Sequence, residues 1–249
     1  MDDEYSLAVK SFALLSLGSS PTAASSSGSS PNSISDLVTK VNLFEQKRNF
    51  PENLKPSEKQ KEEVSRAKNA VIAQKIYSSV FKWVPENYYT LKLEQRAKLL
   101  GASSTFQLCK SMLMENKSYD ASCAHERNYS RFYLVILQYE TAINNKKLQS
   151  EIRALVPVKE RLDFSKFDFR VASEEDNARL TDYSHNAVTP FGMKENVPIV
   201  LSKAITETKG MSPFIWMGGG HIHLKLGMAV SDFIKAADPL VLDVTDARP

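Results

Sequence analysis

The stretch RFYLVILQY, residues 131–139, decides the fold. It is a continuous apolar run rich in aromatic and β-branched residues, which reads as a buried strand. After it, TAINNKKLQSEIRAL (141–155) reads as a helix. Before it, FQLCKSML (106–113) alternates, so Phe106, Leu108, Lys110 and Met112 share one face if this is a strand. So short a segment leaves a helical reading open. FRVAS (169–173) leads from a strand into a short helix N-capped by Ser173, and VPIVLS (197–202) and PFIWM (213–217) read as strands. HIHLKL (221–226) alternates, with His221, His223 and Lys225 on one face. A helix near Val230–Ala236 and a strand LVLDV (240–244) follow. No long regular βαβ repeat is visible. The expected class is α+β, a mixed, partly barrel-like sheet with packing helices.

Upstream of this region the composition changes. GSSPTAASSSGSSPNSIS (18–35) is too poor in apolar side chains to offset the entropy of ordering, and reads as a flexible linker. The apolar segment before it, with Phe12, Leu14, Leu15 and Leu17, is open to two readings, a frayed helix or a docking peptide. Ser35 can cap a short helix carrying Leu37, Val38, Val41 and Phe44, which Pro51 and Pro56 end. Ser57 and Gln60 make a capping-box signature. Val64, Ala67, Val71 and Ile72, then Ile76 and Val80, give the following helix an apolar stripe. A third helix is expected from Thr90 to Leu100, stopping at Gly101. The expected organisation is a disordered segment (1–34), a helical extension (35–88) and one α+β domain (89–249).

Bulk properties exclude several classes. The 249 residues are 42% hydrophobic and 24% charged, ordinary values for a globular protein. No apolar run approaches the roughly 20 residues of a bilayer span. Cys109 and Cys123 are the two cysteines, too few for a disulfide framework. The start Met-Asp-Asp-Glu is acidic where a secretory signal is basic. A cytoplasmic protein is expected, with the serine-rich stretch leaving an organelle address open. A net charge of +3 permits an anionic partner without requiring one. The mixed Lys and Glu run at 55–68 reads either as a solvated helix face or as a nucleic-acid surface.

Three segments stand out chemically. Lys110 lies among apolar neighbours, so it either snorkels to water or faces an anionic ligand in a pocket. Asn186-Ala187-Val188-Thr189-Pro190 is a turn-rich loop ahead of a buried strand, able to read a small ligand through its backbone, or else a plain connector. Gly218-Gly219-Gly220 allows a close backbone approach or a tight hairpin turn. It leads into a strand, so neither a P-loop nor a dinucleotide fingerprint fits. His221 and His223 have a spacing that can bind metal, but no third ligand follows nearby. No nucleophile motif is recognisable, and Cys109 reads as core.

Taken in order, these segments resemble the YbaK / prolyl-tRNA synthetase-associated editing domain. LCKSML resembles that family's lysine strand, VASEEDNARLTDY its A-s…T-G-Y segment, and VTPFGM with VPIVLS its S-P-x-G loop and next strand. WMGGGHIHLKL and SDFI resemble the closing Gly-rich turn, strand and helix. The resemblance covers about residues 89–246. It implies a metal-independent and cofactor-free deacylase acting in trans on the ester of a mischarged tRNA. It places Lys110 near the terminal adenosine as the catalytic residue. Asn186, Ala187, Val188, Thr189, Pro190, Gly218, Gly219, Gly220 and His223 then line the substrate pocket. The alternative is a non-catalytic module for tRNA binding or for assembly with a synthetase through the N-terminal helices. Three departures bear on that choice. Asn186 and Asp182 stand where the family has glycine, and glycines replace its basic pair in the last turn.

Overall fold

The apolar run at 131–139 becomes β3 (Phe132–Gln138), all seven residues of which are buried. The computed structural model describes residues 51, 54–123, 128–207 and 213–248. The linker and the helix expected from Ser35 lie outside them. Tyr133, Val135 and Leu137 point into one core and Phe132, Leu134 and Ile136 into another. A strand covered on both faces has no solvent side, which is why its sequence is uniformly apolar rather than alternating.

β3 pairs antiparallel with β2 (Cys109–Asn116), which pairs antiparallel with β5 (Phe169–Val171). On its other side β3 runs parallel to β6 (Ile199–Ser202), and β6 parallel to β9 (Leu240–Leu242). This five-stranded sheet is therefore mixed, as expected. A second sheet has the order β1 (Val80–Trp83), β8 (Leu224–Ala229), β7 (Phe214–His221), and β4 (Thr141–Ile143) pairs with β10 (Thr245–Ala247). A parallel bridge between Leu108 and Trp216 links the two larger sheets, which form no closed barrel.

Helices cover both faces. α1 (Glu58–Ala73) begins with the expected capping box: Gln60 N–H donates to Ser57 Oγ at 3.3 Å, and Ser57 N–H to Gln60 Oε1 at 2.8 Å. It buries Val64, Ala67 and Val71 against β7, whereas Ile72 faces solvent. α2 (Leu93–Leu100) follows a 3-10 turn at Glu86–Thr90 and ends on Gly101 at φ 76°. α3 (Asn145–Ala154) buries Leu148 and Ile152 in the core of Tyr133. α4 (Glu174–Thr181) starts on the Ser173 cap, and α5 (Lys203–Thr206) is a single turn. α6 (Val230–Ala237) buries Val230 and Phe233 in the core of Leu134.

Several local expectations change. Phe106 is in a 3-10 turn and exposed, because Leu108 and not Phe106 enters the core. The 141–155 segment splits into β4 and α3 at Asn144, whose side chain caps the helix. Residues 240–244 carry β9, and β10 follows. The described residues from Pro56 onward form one compact unit. Residues 80–83 are not helical: β1 forms a ladder with β8 from Val80–Gly227 to Trp83–Leu224.

The hairpin is the largest difference. Gly218, Gly219 and Gly220 lie within β7, and the chain reverses at Ile222 and His223. HIHLKL thus holds the end of β7, the turn and the start of β8 rather than one strand. An irregular register between Gly218 and His221 accompanies the shift, since glycine weakens strand order and marks close backbone approach.

Candidate functional site

A cavity of about 450 Å³ opens between β2, the 3-10 turn at Tyr88 and Tyr89, β7, and the 185–188 loop. Lys110 is the second residue of β2 and lines it. Its side chain is half-buried. Its Nζ lies 5.9 Å from the Tyr139 ring centroid, and no described residue hydrogen-bonds or ion-pairs with it. Burial first, and the charge of Arg248 second, hold its pKa below the usual lysine range. Next to it, Ser111 also lines the cavity, and its buried hydroxyl has no partner among the described residues. The Lys110 ammonium is a polar group left for a ligand to satisfy.

The loop that forms the opposite wall is held from behind. Asn186 has φ 60°, the left-handed region, where Asn is among the best tolerated non-glycine residues. Its side chain is exposed, and Val188 lines the cavity beside it. Ala187, Thr189 and Pro190 are buried behind the wall and do not line it. Gly220 N–H donates to Ala187 O at 3.0 Å. A Cβ on Gly218 would stand 2.4 Å from Val188 O, so only glycine lets the strand and loop touch. Gly218 lines the cavity, whereas Gly219 and Gly220 serve packing.

α1 supplies the second brace. Glu63 Oε1 accepts from Ser184 N–H at 3.1 Å and from Ser184 Oγ at 2.8 Å. Arg66 donates to Gly192 O at 2.8 Å and to Asp182 Oδ2 at 2.7 Å, and also bonds the Asp182 carbonyl. Its guanidinium lies over the Tyr183 ring, 4.6 Å from the centroid. Asp182 has φ 53° at the end of α4, so both departures from glycine occupy positive φ. Asp182 adds a carboxylate that ties the loop to α1.

His223 sits in the hairpin turn and does not line the cavity. The split of HIHLKL explains its displacement. His221 and His223 approach one another, ring centroids 5.5 Å apart, and His223 N–H donates to His221 Nδ1 at 3.1 Å. Among the described residues no group of three His, Cys, Asp or Glu could hold a metal. Burial first, and the nearby His223 and Lys225 second and third, push His221 down to about 4. The unfolded chain takes up this proton near pH 6.5 while the folded chain resists until about 4, so acid favours unfolding across that window. The midpoint of thermal unfolding is expected to fall as pH drops from 6.5 to 4, and His221→Gln to flatten that fall. An unchanged slope in the variant would rule His221 out as the cause.

Cys109 lines the cavity as a buried thiol, its pKa pushed up by burial, which keeps it protonated and unreactive. Residues that the sequence reading missed complete the wall. Tyr88, Tyr89 and Tyr139 cluster there, with the Arg96 guanidinium 5.4–5.7 Å from their ring centroids. Lys225 enters from β8. The signal that exposed Lys110, a lone lysine between apolar residues, was equally present in Leu224-Lys225-Leu226.

The family model for the aminoacyl-tRNA editing domain matches residues 89–236. No curated protein matches the sequence. Similar solved structures include a protein described as a candidate trans-editing enzyme for prolyl tRNA synthetase. It is 16% identical, with a TM-score of 0.55, over 78% of this chain and 100% of that one. The protein APE2540 is 15% identical with a TM-score of 0.53, over 73% and 99%. A scaffold from a study of computational epitope grafting is 15% identical with a TM-score of 0.56, over 78% and 100%. These likenesses establish a shared fold. With the family model covering more than half of its length, this chain belongs to the aminoacyl-tRNA editing domain family.

Proposed function

We propose that the protein is a trans-acting aminoacyl-tRNA deacylase that hydrolyses the ester of a mischarged tRNA. The observation that carries this reading is the Lys110 side chain, unpartnered among the described residues, lining one cavity with Asn186 and Val188. A cation held there attracts the phosphate or ribose of the terminal adenosine and offsets negative charge that develops on the ester oxygen. The loop backbone and Val188 hold the aminoacyl group beside it. Water, or a hydroxyl of the substrate itself, attacks the ester carbon. This is consistent with a site whose thiol, Cys109, is kept protonated by burial. Such hydrolysis serves translation fidelity, because a methylene of difference between amino acids gives a synthetase only about 1–3 kcal/mol of discrimination. The activity belongs to the cytoplasm, with the N-terminal helical extension (35–88) as the part that meets a synthetase or the tRNA.

One observation favours a second reading. Asn186 stands where the family has glycine, and its exposed side chain lies at the cavity wall, where it can narrow entry to the site. A non-catalytic tRNA-binding module would tolerate this. A panel of mischarged tRNAs, beginning with alanyl- and cysteinyl-tRNA(Pro), separates the two. Release of free amino acid well above the spontaneous rate for at least one tRNA is expected. Retained tRNA binding with no ester cleaved across the panel would leave the binding module in its place.

A further inference from the structure

Lys225 has no part in the reading above. It pairs with Gly218 in the β7–β8 ladder, so its side chain shares the cavity side of the sheet with a residue that has none. It is 4% exposed. Its Nζ lies 2.8 Å from the Tyr89 hydroxyl and donates to Ile222 O at 2.9 Å. It also lies 4.5 Å from the Tyr89 ring centroid and 5.0 Å from that of Tyr88. Among the described residues no carboxylate pairs with it. The same Tyr89 hydroxyl lies 3.4 Å from Asn186 O, the carbonyl of the left-handed loop residue. We propose that Lys225 is a positioning residue of the site: through Tyr89 it fixes the Asn186 carbonyl and hence the loop that walls the cavity.

Hydrogen-bond direction gives the relay its meaning. An ammonium only donates, so beside a charged Lys225 the Tyr89 oxygen accepts, and its own proton is shared between Asn186 O and the Tyr139 hydroxyl, with which Tyr89 also hydrogen-bonds. A neutral amine has a lone pair. The Tyr89 O–H can then turn to Lys225, and the Asn186 carbonyl loses its donor. Burial first, and the charge of Arg96 second, push Lys225 down to about 7. The loop is therefore held below that pH and released above it.

From the 3-10 turn, Tyr88 and Tyr89 are pushed up by burial, as is Tyr139 after β3, so all three stay protonated. Arg96 of α2 stays charged. In the hairpin, His221 is pushed down to about 4 and His223 is lowered, by burial first, although Glu86 acts on it in the opposite sense. Lys82, opposite Lys225 in the β1 ladder, is exposed, and Lys110 faces it from β2 across the cavity.

The activity arm of the test rests on the deacylase reading, so the deciding arm uses no substrate. Protein labelled with 15N and with 13Cε-lysine is titrated from pH 5.5 to 9. The Lys225 13Cε signal and the Ala187 amide, which follows the Asn186 carbonyl, are expected to shift together with one midpoint about 7. In Tyr89→Phe, Lys225 still titrates while the Ala187 amide no longer follows it. An Ala187 amide that ignores Lys225, or follows it unchanged in Tyr89→Phe, overturns the relay. In turnover, Lys225→Met is expected to lower kcat/KM about five- to tenfold, the effect of one lost hydrogen bond. Lys225→Arg, permanently charged, keeps most of it and loses the inflection near pH 7. Absence of turnover in the wild type refutes the deacylase and leaves the titration to decide the relay.

Discussion

Replacing Lys110 with alanine is expected to lower kcat/KM on a mischarged tRNA about 10²–10³-fold. That range is the usual loss when one preorganised group facing developing charge is removed. The expectation follows from what the lysine does not do in the fold. Its side chain makes no hydrogen bond or ion pair with any described residue, and its Nζ lies 5.9 Å from the Tyr139 ring centroid. Its half-buried charge is a cost to the folded chain, visible in its lowered pKa. Removing it should therefore leave thermal stability unchanged or slightly raised. Lys110→Arg restores charge but not shape, because a planar guanidinium is not a compact ammonium, and partial activity is expected. Rates of amino acid release, measured beside the unfolding temperature, check this. Full activity in the alanine variant would remove Lys110 from the chemistry.

Gly218→Val is expected to damage stability and activity together. A Cβ there meets Val188 O at 2.4 Å, and the obstacle is backbone, not a flexible side-chain end. The loop cannot retreat freely, because Gly220 N–H holds Ala187 O and α1 grips Ser184 and Asp182. Overpacking of this kind costs about 1–3 kcal/mol. In a domain of this size each kcal/mol lowers the unfolding temperature by about 2–4 °C. The loop that yields is the one facing Lys110, and a 1 Å misplacement of a positioning group can cost about 10² in rate. Gly101→Ala is the contrasting control: it meets the strain of a positive φ, which Gly218 does not have, but nothing lies within 4 Å of its Cβ position. Calorimetry and deacylation on the two variants test this. A Gly218→Val protein with wild-type rate would show that the loop does not shape the site.

Local signals carried the fold where a segment's own residues decide its structure. The apolar run of β3, the Ser57 and Ser173 caps and the Gly101 stop are of this kind. They failed where a partner distant in sequence decides. VFKW is a strand because β8 pairs with it, and nothing inside four residues announces that. HIHLKL alternates like a strand, yet the register of β7 against β8 places a turn there. The site was legible in the same uneven way. A lone lysine on an apolar strand pointed to Lys110, which lines the cavity, and Asn186 occupies a positive φ that Asn tolerates, as Asp182 does without a signal in the sequence. Lys225 was hidden because the misplaced turn grouped it with two histidines. Its partner Tyr89 lies 136 residues away, a pairing that no periodicity reveals.

The grip of α1 on the loop also sets when the wall comes into being. Arg66 and Gly192 are 126 residues apart, and Glu63 and Ser184 are 121 apart. β1 must wait for β8 before it has a ladder at all. During synthesis, at about 5–20 residues per second, the early helix and strand are exposed for several seconds before their partners leave the ribosome. The wall of the cavity therefore has no fixed form in the nascent chain until nearly all of this unit has emerged.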